Sequence, residues 1–220
     1  MYEASLFFLK KIDSLGYEGY IIGGFPRDRY LGINTNDIDI CTNMKPDELK
    51  KNFVVIESFD KYGSVRVKYK NYIFEVTTFR KDGEYVDFRR PTSVEFIDSL
   101  EEDLKRRDFT INTLCINKAG EYVDLIGARK DIDNKIIKVI GNVEKKLKED
   151  PIRIIRALRF SSKLNFKIDE NLQKGIIKYK NLIEKIPKNS LNKELDNIND
   201  EISKENFKKL LLEYNIFLII

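Results

Sequence analysis

The sequence predicts an α+β fold in which a mixed β-sheet with helices fills the first part of the chain and an all-helical region follows. Apolar residues alternate along 64–69 and again along 72–79, and a short polar pair between them completes the pattern of a β-hairpin. From Asn142 onward the pattern becomes helical. A chain of 220 residues has room for one full domain and a smaller one. We therefore expect a boundary near 140, with a sheet domain over 1–140 and a helical domain over 141–220.

The predicted sheet domain begins with an amphipathic helix over 2–15. Apolar side chains at positions 6, 7, 9, 12 and 15 follow near-helical spacing, and Gly16 ends the helix. Two strands and a short helix follow, at 20–22, 38–41 and 46–51. After the hairpin, the polar stretch 81–93 contains Gly83 and Pro91, so we expect it to be a mobile loop.

Short helices and strands follow this loop. The pattern predicts helices at about 98–105 and 108–116 and strands at 122–125 and 135–140. Pro151 suits the first turn of a later helix because its fixed φ is preorganised there. Glu149 and Asp150 precede it, where the helix dipole favours negative charge.

Charge is unevenly distributed along the chain. The net charge is only +4 although 35% of the residues are charged, and basic residues crowd the part after 142. Such a zone is the electrostatic footprint expected for contact with a polyanion such as RNA. A lysine-rich composition also makes ordinary solvated helix faces basic, so this alternative stays open. The basic residues are Lys145, Lys146, Lys148, Arg153, Arg156, Arg159, Lys163, Lys167, Lys174, Lys178 and Lys180.

The composition excludes several kinds of site. The chain has no histidine, which excludes a Ser-His triad, a His-ligated zinc site and a histidine general base. Cys41 and Cys115 lie in apolar runs and match neither a metal-binding spacing nor a disulfide framework, so we expect buried reduced thiols in a cytoplasmic protein. No apolar run reaches the length of a membrane span, and the first residues do not resemble a signal peptide.

The most informative segment combines a glycine turn with two aspartates. Gly23 and Gly24 follow an apolar strand and allow backbone N–H groups to approach an anion, and Pro26 can start the next helix. Asp37 and Asp39 are two residues apart, so both carboxylates point to one side of a strand. Two such oxygen ligands suit Mg²⁺, which binds a few carboxylates together with substrate phosphates. The segment therefore indicates nucleotidyl transfer, the alternative being a glycine turn beside a solvated strand end.

These residues resemble the nucleotidyltransferase head shared by bacterial tRNA CCA-adding enzymes and poly(A) polymerases, which carries GG-x-x-RD followed by D-x-D. Further motifs of that family follow in its order, and the resemblance covers roughly 18–170. They are Phe74-Glu75-Val76-Thr77-Thr78-Phe79-Arg80, Asp82-Gly83-Glu84-Tyr85-Val86-Asp87-Phe88-Arg89-Arg90-Pro91, Arg106-Arg107-Asp108-Phe109-Thr110-Ile111-Asn112 and Glu149-Asp150-Pro151-Ile152-Arg153-Ile154-Ile155-Arg156-Ala157-Leu158-Arg159-Phe160.

The resemblance implies a set of catalytic carboxylates. Asp37 and Asp39 would hold two Mg²⁺ ions that activate an RNA 3′-hydroxyl and stabilise the leaving pyrophosphate. Glu75 resembles the family's third active-site carboxylate. Its neighbours Phe74 and Val76 should face the opposite side of the sheet. A glutamate on the surface of an edge strand is the alternative for Glu75.

The resemblance also implies nucleotide contacts. Asp150 and Arg153 are three residues apart on one helix face, and together they offer the acceptors and donors that match an edge of cytosine or adenine. An ordinary intrahelical ion pair is the alternative. Arginines this close repel one another unless an anion is present, which favours a triphosphate or RNA. Asp108 has a second possible role, as the N-cap of a helix. The predicted nucleotide-binding residues are Gly23, Gly24, Arg27, Arg107, Asp108, Asn112, Asp150, Arg153, Arg156 and Arg159.

The resemblance implies template-independent addition of C and A nucleotides to the 3′ end of tRNA, with CTP and ATP as substrates. A poly(A) polymerase and a non-catalytic RNA-binding remnant are the alternatives; the segment 62–67 favours the CCA-adding branch. Three features depart from the family. Pro26 replaces a small apolar residue, and Asn189-Ser190 stands where relatives carry Glu-Arg. We expect the body and tail domains of relatives to be absent, and we expect the apolar residues 216–220 to support self-association or contact with a partner.

Overall fold

The computed structural model describes residues 1–85, 88 and 91–217. The chain forms two compact units. The first consists of Met1–Glu84 and Thr92–Arg129, and the second of Tyr85–Pro91 and Lys130–Ile220. The first unit is a mixed α+β structure and the second is largely helical, so the predicted fold class is confirmed. The assignment of a catalytic role to one part and of nucleotide selection to the other stays a prediction.

A seven-stranded sheet forms the framework of the first unit in the described residues. Its spatial order is β3-β4-β5-β2-β1-β8-β9, while β6 and β7 form a separate two-stranded ribbon. In the large sheet β2 and β5 are parallel, and the other neighbours are antiparallel. The strands are β1 (Gly19–Ile22), β2 (Asp39–Thr42), β3 (Val54–Phe59), β4 (Ser64–Tyr69), β5 (Tyr72–Thr78), β6 (Arg80–Asp82), β7 (Val94–Phe96), β8 (Cys115–Ile116) and β9 (Tyr122–Val123).

Helices cover both faces of this sheet. Successive strand residues point to opposite faces, so Ile21 packs with Phe8 of the first helix while Ile22 packs with Leu104 of the fourth. Cys41 belongs to the Leu104 side, and Asp39 shares its face because the two are two residues apart on β2. The first five helices are α1 (Tyr2–Ser14), α2 (Gly24–Tyr30), α3 (Pro46–Asn52), α4 (Leu100–Arg106) and α5 (Ala128–Asp133).

The prediction of a helix over 108–116 is wrong. A short 3₁₀ turn spans Thr110–Asn112, and Cys115–Ile116 then joins the large sheet as β8. The β-branched residues Thr110, Ile111 and Thr113 have low helix propensity, and pairing with β1 and β9 decides the outcome.

Two other parts of the first unit differ from the pattern-based expectation. Strand β3 was not predicted, because its apolar Val54 and Ile56 face solvent and its pairing with β4 contains a register shift. The predicted loop 81–93 begins within β6 and ends immediately before β7. Its residues 86, 87, 89 and 90 lie outside the described residues.

The second unit is built around α7, which packs against α9 and α10. The side chains of Asn142, Asp169 and Asp200 cap α6, α8 and α10 by accepting backbone N–H groups. Gly175 allows α8 to approach α6, since a Cβ there would lie 2.6 Å from a methyl group of Val143. The helices are α6 (Val143–Glu149), α7 (Ile152–Leu164), α8 (Glu170–Tyr179), α9 (Lys188–Asp196) and α10 (Glu201–Glu213).

A two-stranded parallel pair also belongs to the second unit. Strand β10 (Ile136–Ile137) pairs with β11 (Lys167–Ile168), which lies within the region predicted to be entirely helical. The strand predicted at 135–140 is therefore shorter than expected. It belongs with the helices, which explains why the second unit begins at Lys130 rather than near 140.

The predicted apolar C-terminal surface is only partly described. Ile216 is buried within the second unit, whereas Phe217 is 80% exposed. The remaining three residues, 218–220, lie outside the described residues. In the part of the chain that the structure describes, no helix is both long and apolar enough to cross a membrane.

Candidate active site

The glycine turn lies directly beside Asp39. Gly23 adopts a φ of +86°, a left-handed conformation that glycine tolerates without steric cost, and it caps the start of α2. A Cβ at Gly23 would lie 3.1 Å from Oδ2 of Asp39, so a side chain would also crowd this carboxylate. Gly24 begins α2 itself. Both the backbone conformation and the space around Asp39 therefore depend on glycine at position 23.

Asp39 lies close to two further carboxylates. Strand pairing sets Asp39 of β2 beside Glu75 of β5, and Asp37 precedes β2 by two residues. Burial raises the pKa of Asp39 to about 6, and the negative charges of Asp37 and Glu75 add to this shift. Phe74 and Val76 are buried in the core on the other face, as predicted. The structure thus brings the three predicted catalytic carboxylates together.

The donor set of this cluster fits a hard divalent cation. Carboxylate oxygens are the ligands that Mg²⁺ prefers, and a cation would offset the repulsion that raises the pKa of Asp39. Within 1–85, 88 and 91–217, no group of three or more acidic or cysteine side chains has the arrangement of a complete metal site. Asp37 and Asp39 would accordingly supply only part of a coordination shell, the rest coming from substrate and water.

Arg27 and Asn112 are also brought together, although they are far apart in sequence. Arg27 is 2% exposed, and its Nη1 donates to Oδ1 of Asn112 at 2.5 Å. Its Nε donates to Oδ1 of Asp28 at 2.7 Å. These bonds tie α2 to the 3₁₀ turn Thr110–Asn112. In this arrangement Arg27 and Asn112 bond to each other, whereas their predicted contact with nucleotide stays a prediction.

Arg107 follows α4 and bonds to a residue that sequence reasoning missed. Its Nε and Nη2 donate to Oδ2 of Asp103 at 3.1 and 2.9 Å. Arg106 donates to the other oxygen of Asp103 and is mostly buried. The available signal was an aspartate near the end of a predicted helix, followed three and four residues later by two arginines. Asp108 accepts the N–H of Phe109 and does not cap a helix, since none begins there.

In the second unit, Asp150 and Arg153 lie at the start of α7. Oδ1 of Asp150 accepts the N–H of Ile152 at 3.2 Å, and Arg153 lies in the first turn of the helix. Nη1 of Arg153 donates to the carbonyl oxygen of Lys146 at 2.6 Å, and the same nitrogen lies 3.7 Å from Oε2 of Glu149. These contacts fix the guanidinium of Arg153.

Arg156 and Arg159 share one acidic partner that was not predicted as a site residue. Nε of Arg159 donates to Oε2 of Glu194 at 3.1 Å, and Nε of Arg156 lies 3.6 Å from Oε1 of the same carboxylate. Arg159 also lies over the ring of Phe160 at 4.3 Å. The anion that relieves repulsion between these arginines is therefore supplied by the chain itself, from α9, 35 residues beyond Arg159.

The sequence of this chain matches a known family model and curated proteins. The family model described as the poly(A) polymerase head domain matches residues 19–138. The CCA-adding enzyme of Streptococcus agalactiae serotype V is 42% identical over 186 residues, covering 84% of this chain and 46% of that protein. The chain thus spans about half the length of the curated relatives it matches.

Solved structures agree with this match. The CCA-adding enzyme of Bacillus stearothermophilus in complex with CTP superimposes with a TM-score of 0.87 at 33% identity, over 98% of this chain and 52% of that one. A tRNA nucleotidyltransferase complexed with a primer tRNA and an incoming ATP analogue gives a TM-score of 0.74 at 29% identity, over 94% of this chain and 60% of that one. Since the family model matches more than half of the chain, this protein belongs to the poly(A) polymerase head domain family and is homologous to the CCA-adding tRNA nucleotidyltransferases.

Proposed function

We propose that this protein adds C and A nucleotides to the 3′ end of tRNA without a nucleic-acid template, using CTP and ATP and releasing pyrophosphate. The carboxylate of Asp39 carries the proposal, because it lies beside Asp37, Glu75 and the glycine turn at Gly23. Carboxylates that can hold cations, next to a glycine turn whose backbone N–H groups can bind an anion at the start of α2, form an arrangement suited to in-line attack at an α-phosphate.

In this proposal each residue has a defined task. Asp37 and Asp39 would hold Mg²⁺, which supplies activation of the 3′-hydroxyl and stabilisation of the leaving pyrophosphate when bound. Two ions are expected. The negative charge of Glu75 beside Asp39 would add to the electrostatic attraction of this cluster for cations. Gly23 has no side chain to crowd Asp39, so a phosphate would have space there, and the positive charge of Arg107 lowers the pKa of Asp39 against these effects.

The second unit would supply base selection. Arg153 can donate to the acceptor atoms of cytosine or adenine, and Asp150 can accept from the exocyclic amine. UTP presents a carbonyl group where CTP presents this amine, so Asp150 would then face an acceptor. The fixed position of Arg153 between Lys146 and Glu149 supports this role, because a preorganised donor loses little freedom on binding.

The partners of the proposal are tRNA, CTP and ATP. Related structures contain CTP, or a primer tRNA with an ATP analogue. We further propose a cytoplasmic location, since Cys41 and Cys115 are both free thiols. Exposed Phe217 supports contact of the C-terminal end with a partner or a second copy.

Labelled CTP and ATP, supplied separately and together to tRNA that lacks its 3′-terminal CCA, test the proposal. A CCA-adding enzyme incorporates label from CTP first and from ATP only after two C residues have been added. Repeated incorporation from ATP alone would instead identify a poly(A) polymerase. Binding of tRNA without incorporation of either label would identify a non-catalytic RNA-binding protein and overturn the proposal.

A further inference from the structure

Asp103 is a fully buried carboxylate that accepts at least four hydrogen bonds. Its side chain is 0% exposed. Oδ1 accepts Nε of Arg106 at 2.8 Å and the backbone N–H of Arg80 at 3.1 Å, and Oδ2 accepts the two donors of Arg107. Burial alone would raise the pKa of Asp103, but Arg107 and Arg106 outweigh it, so the pKa lies below its usual value. Asp103 is therefore ionised at neutral pH.

This carboxylate lies on the side of the sheet that carries the catalytic cluster. Leu104 of α4 packs with Cys41, and Cys41 and Asp39 share one face of β2. Arg107 is three residues after Leu104, so it lies on the same side of the helix end. Ile22, which pairs with Asp39 across β1 and β2, also packs with Leu104. Arg107 is thus a cation held next to the site where phosphates would bind.

We propose that Asp103 is a positioning residue for nucleotidyl transfer: it holds the guanidinium of Arg107 over the face of the sheet that carries Asp39, so that Arg107 meets the triphosphate of the incoming nucleotide. The inference rests on the proposed function for its substrate. The placement of Arg107 by Asp103 is a property of the fold and can be tested separately.

Asp103 positions Arg107, and not the reverse, because Asp103 is the more firmly held of the two side chains. Asp103 has a short side chain within a helix, and the backbone N–H of Arg80 fixes it from β6. Arg107 has a long side chain with four rotatable bonds, which loses its defined direction without a fork-shaped partner. Arg80 starts the β6–β7 ribbon, so the same carboxylate also holds β6 relative to Arg107.

A double-mutant cycle tests whether Asp103 acts through Arg107. The variants are Asp103→Asn, Arg107→Lys and the pair, with the KM for CTP and kcat measured separately. Asp103→Asn should raise the KM for CTP about tenfold with a smaller change in kcat, and the double variant should equal Arg107→Lys alone. Glu102→Gln is the matched control, because it removes the same charge from the exposed side of α4 and should leave both constants unchanged. Additive effects in the cycle, or an unchanged KM in Asp103→Asn, would overturn the proposal.

A second variant and a spectroscopic readout protect the test from loss of folding or of activity. Asp103→Glu keeps the charge but displaces the guanidinium by one methylene, so it should raise the KM and replaces Asp103→Asn in the cycle if that variant does not fold. The Nε–H resonance of Arg107 should be protected from solvent exchange in the unmodified protein and in Glu102→Gln, and lost in the Asp103 variants. This measurement does not depend on activity, so an inactive protein would contradict only the proposed function. An Arg107 resonance that is unchanged in the Asp103 variants would contradict the positioning role.

Discussion

The two units of this protein differ in whether their clusters of like charges are compensated by neighbouring side chains. In the first unit, Asp39 and Glu75 lie on neighbouring strands and Asp37 precedes β2, and the charges of Asp37 and Glu75 add to burial in raising the pKa of Asp39. In the second unit, Arg156 and Arg159 are also neighbours, yet Glu194 lies within reach of both. The acidic cluster is left in excess of negative charge, whereas the basic cluster is compensated by its own helix packing.

This difference indicates which cluster requires an external ion. A buried or half-buried charge without compensation costs free energy, and a carboxylate cluster recovers that cost when a cation binds. Arginines already held by a carboxylate gain less from an anion but are held in fixed directions. We therefore expect the first unit to depend on metal for function and the second unit to depend on Glu194 for structure.

The largest expected effect is loss of nucleotide addition in Asp37→Ala and in Asp39→Ala. Each change removes an expected Mg²⁺ ligand, and we expect turnover to fall by roughly a thousandfold or more. The fold should remain, since removing one carboxylate relieves repulsion and opens no cavity in the core. Single-turnover addition of C to tRNA, with circular dichroism of each variant, checks both statements. Near-normal turnover with Mg²⁺ in either variant would refute the metal assignment.

The second largest expected effect is a loss of stability on removal of Glu194. Glu194→Ala leaves two adjacent arginines, one of them buried, without their shared carboxylate. We expect the free energy of unfolding to fall by about 2–4 kcal/mol. Urea titration followed by circular dichroism measures it. Glu201→Ala is the control, because its ion pair with Lys204 is exposed and should matter by less than about 1 kcal/mol. Equal losses in the two variants would show that Glu194 is an ordinary surface residue.

A smaller effect is expected for base choice in Asp150→Ala. An acceptor facing the carbonyl of UTP disfavours that nucleotide by roughly a hundredfold, and loss of the carboxylate should shrink this margin while CTP and ATP are used less well. Comparison of kcat/KM for the four nucleoside triphosphates measures the change. If the variant keeps its full preference for CTP and ATP, then Asp150 only accepts the N–H of Ile152 at the start of α7, and selection lies elsewhere.

Local patterns in the sequence predicted the parts of the fold that depend on near neighbours. The helix α1, the β4–β5 hairpin and the alternation that sets Glu75 opposite Phe74 were all predictable from spacing of two or of three to four residues. The helix expected over 108–116 is absent because Cys115 and Ile116 pair with β1, which lies some ninety residues earlier. Glu194 was missed as a site residue for the same reason, since its contact with Arg159 spans 35 residues. Pairings made across the fold leave no local signature.

The smallest expected effect is on stability, and it tests whether the carboxylate cluster around Asp39 carries an excess of negative charge. Asp39 has a pKa of about 6 in the folded protein against 3.8 as its reference value, so the folded state binds more protons between about pH 4 and pH 6. Stability is therefore lost as the pH rises through this window.

Asp39→Asn removes that loss, and without divalent cations it should raise the free energy of unfolding by about 1–2 kcal/mol at pH 8 and by almost nothing at pH 4. Thermal unfolding at both pH values, with Asp47→Asn as a control whose side chain is 84% exposed, measures the difference. Added Mg²⁺ should stabilise the unmodified protein and narrow the gap; a variant that is no more stable at pH 8 would mean that the carboxylate cluster carries no excess of charge.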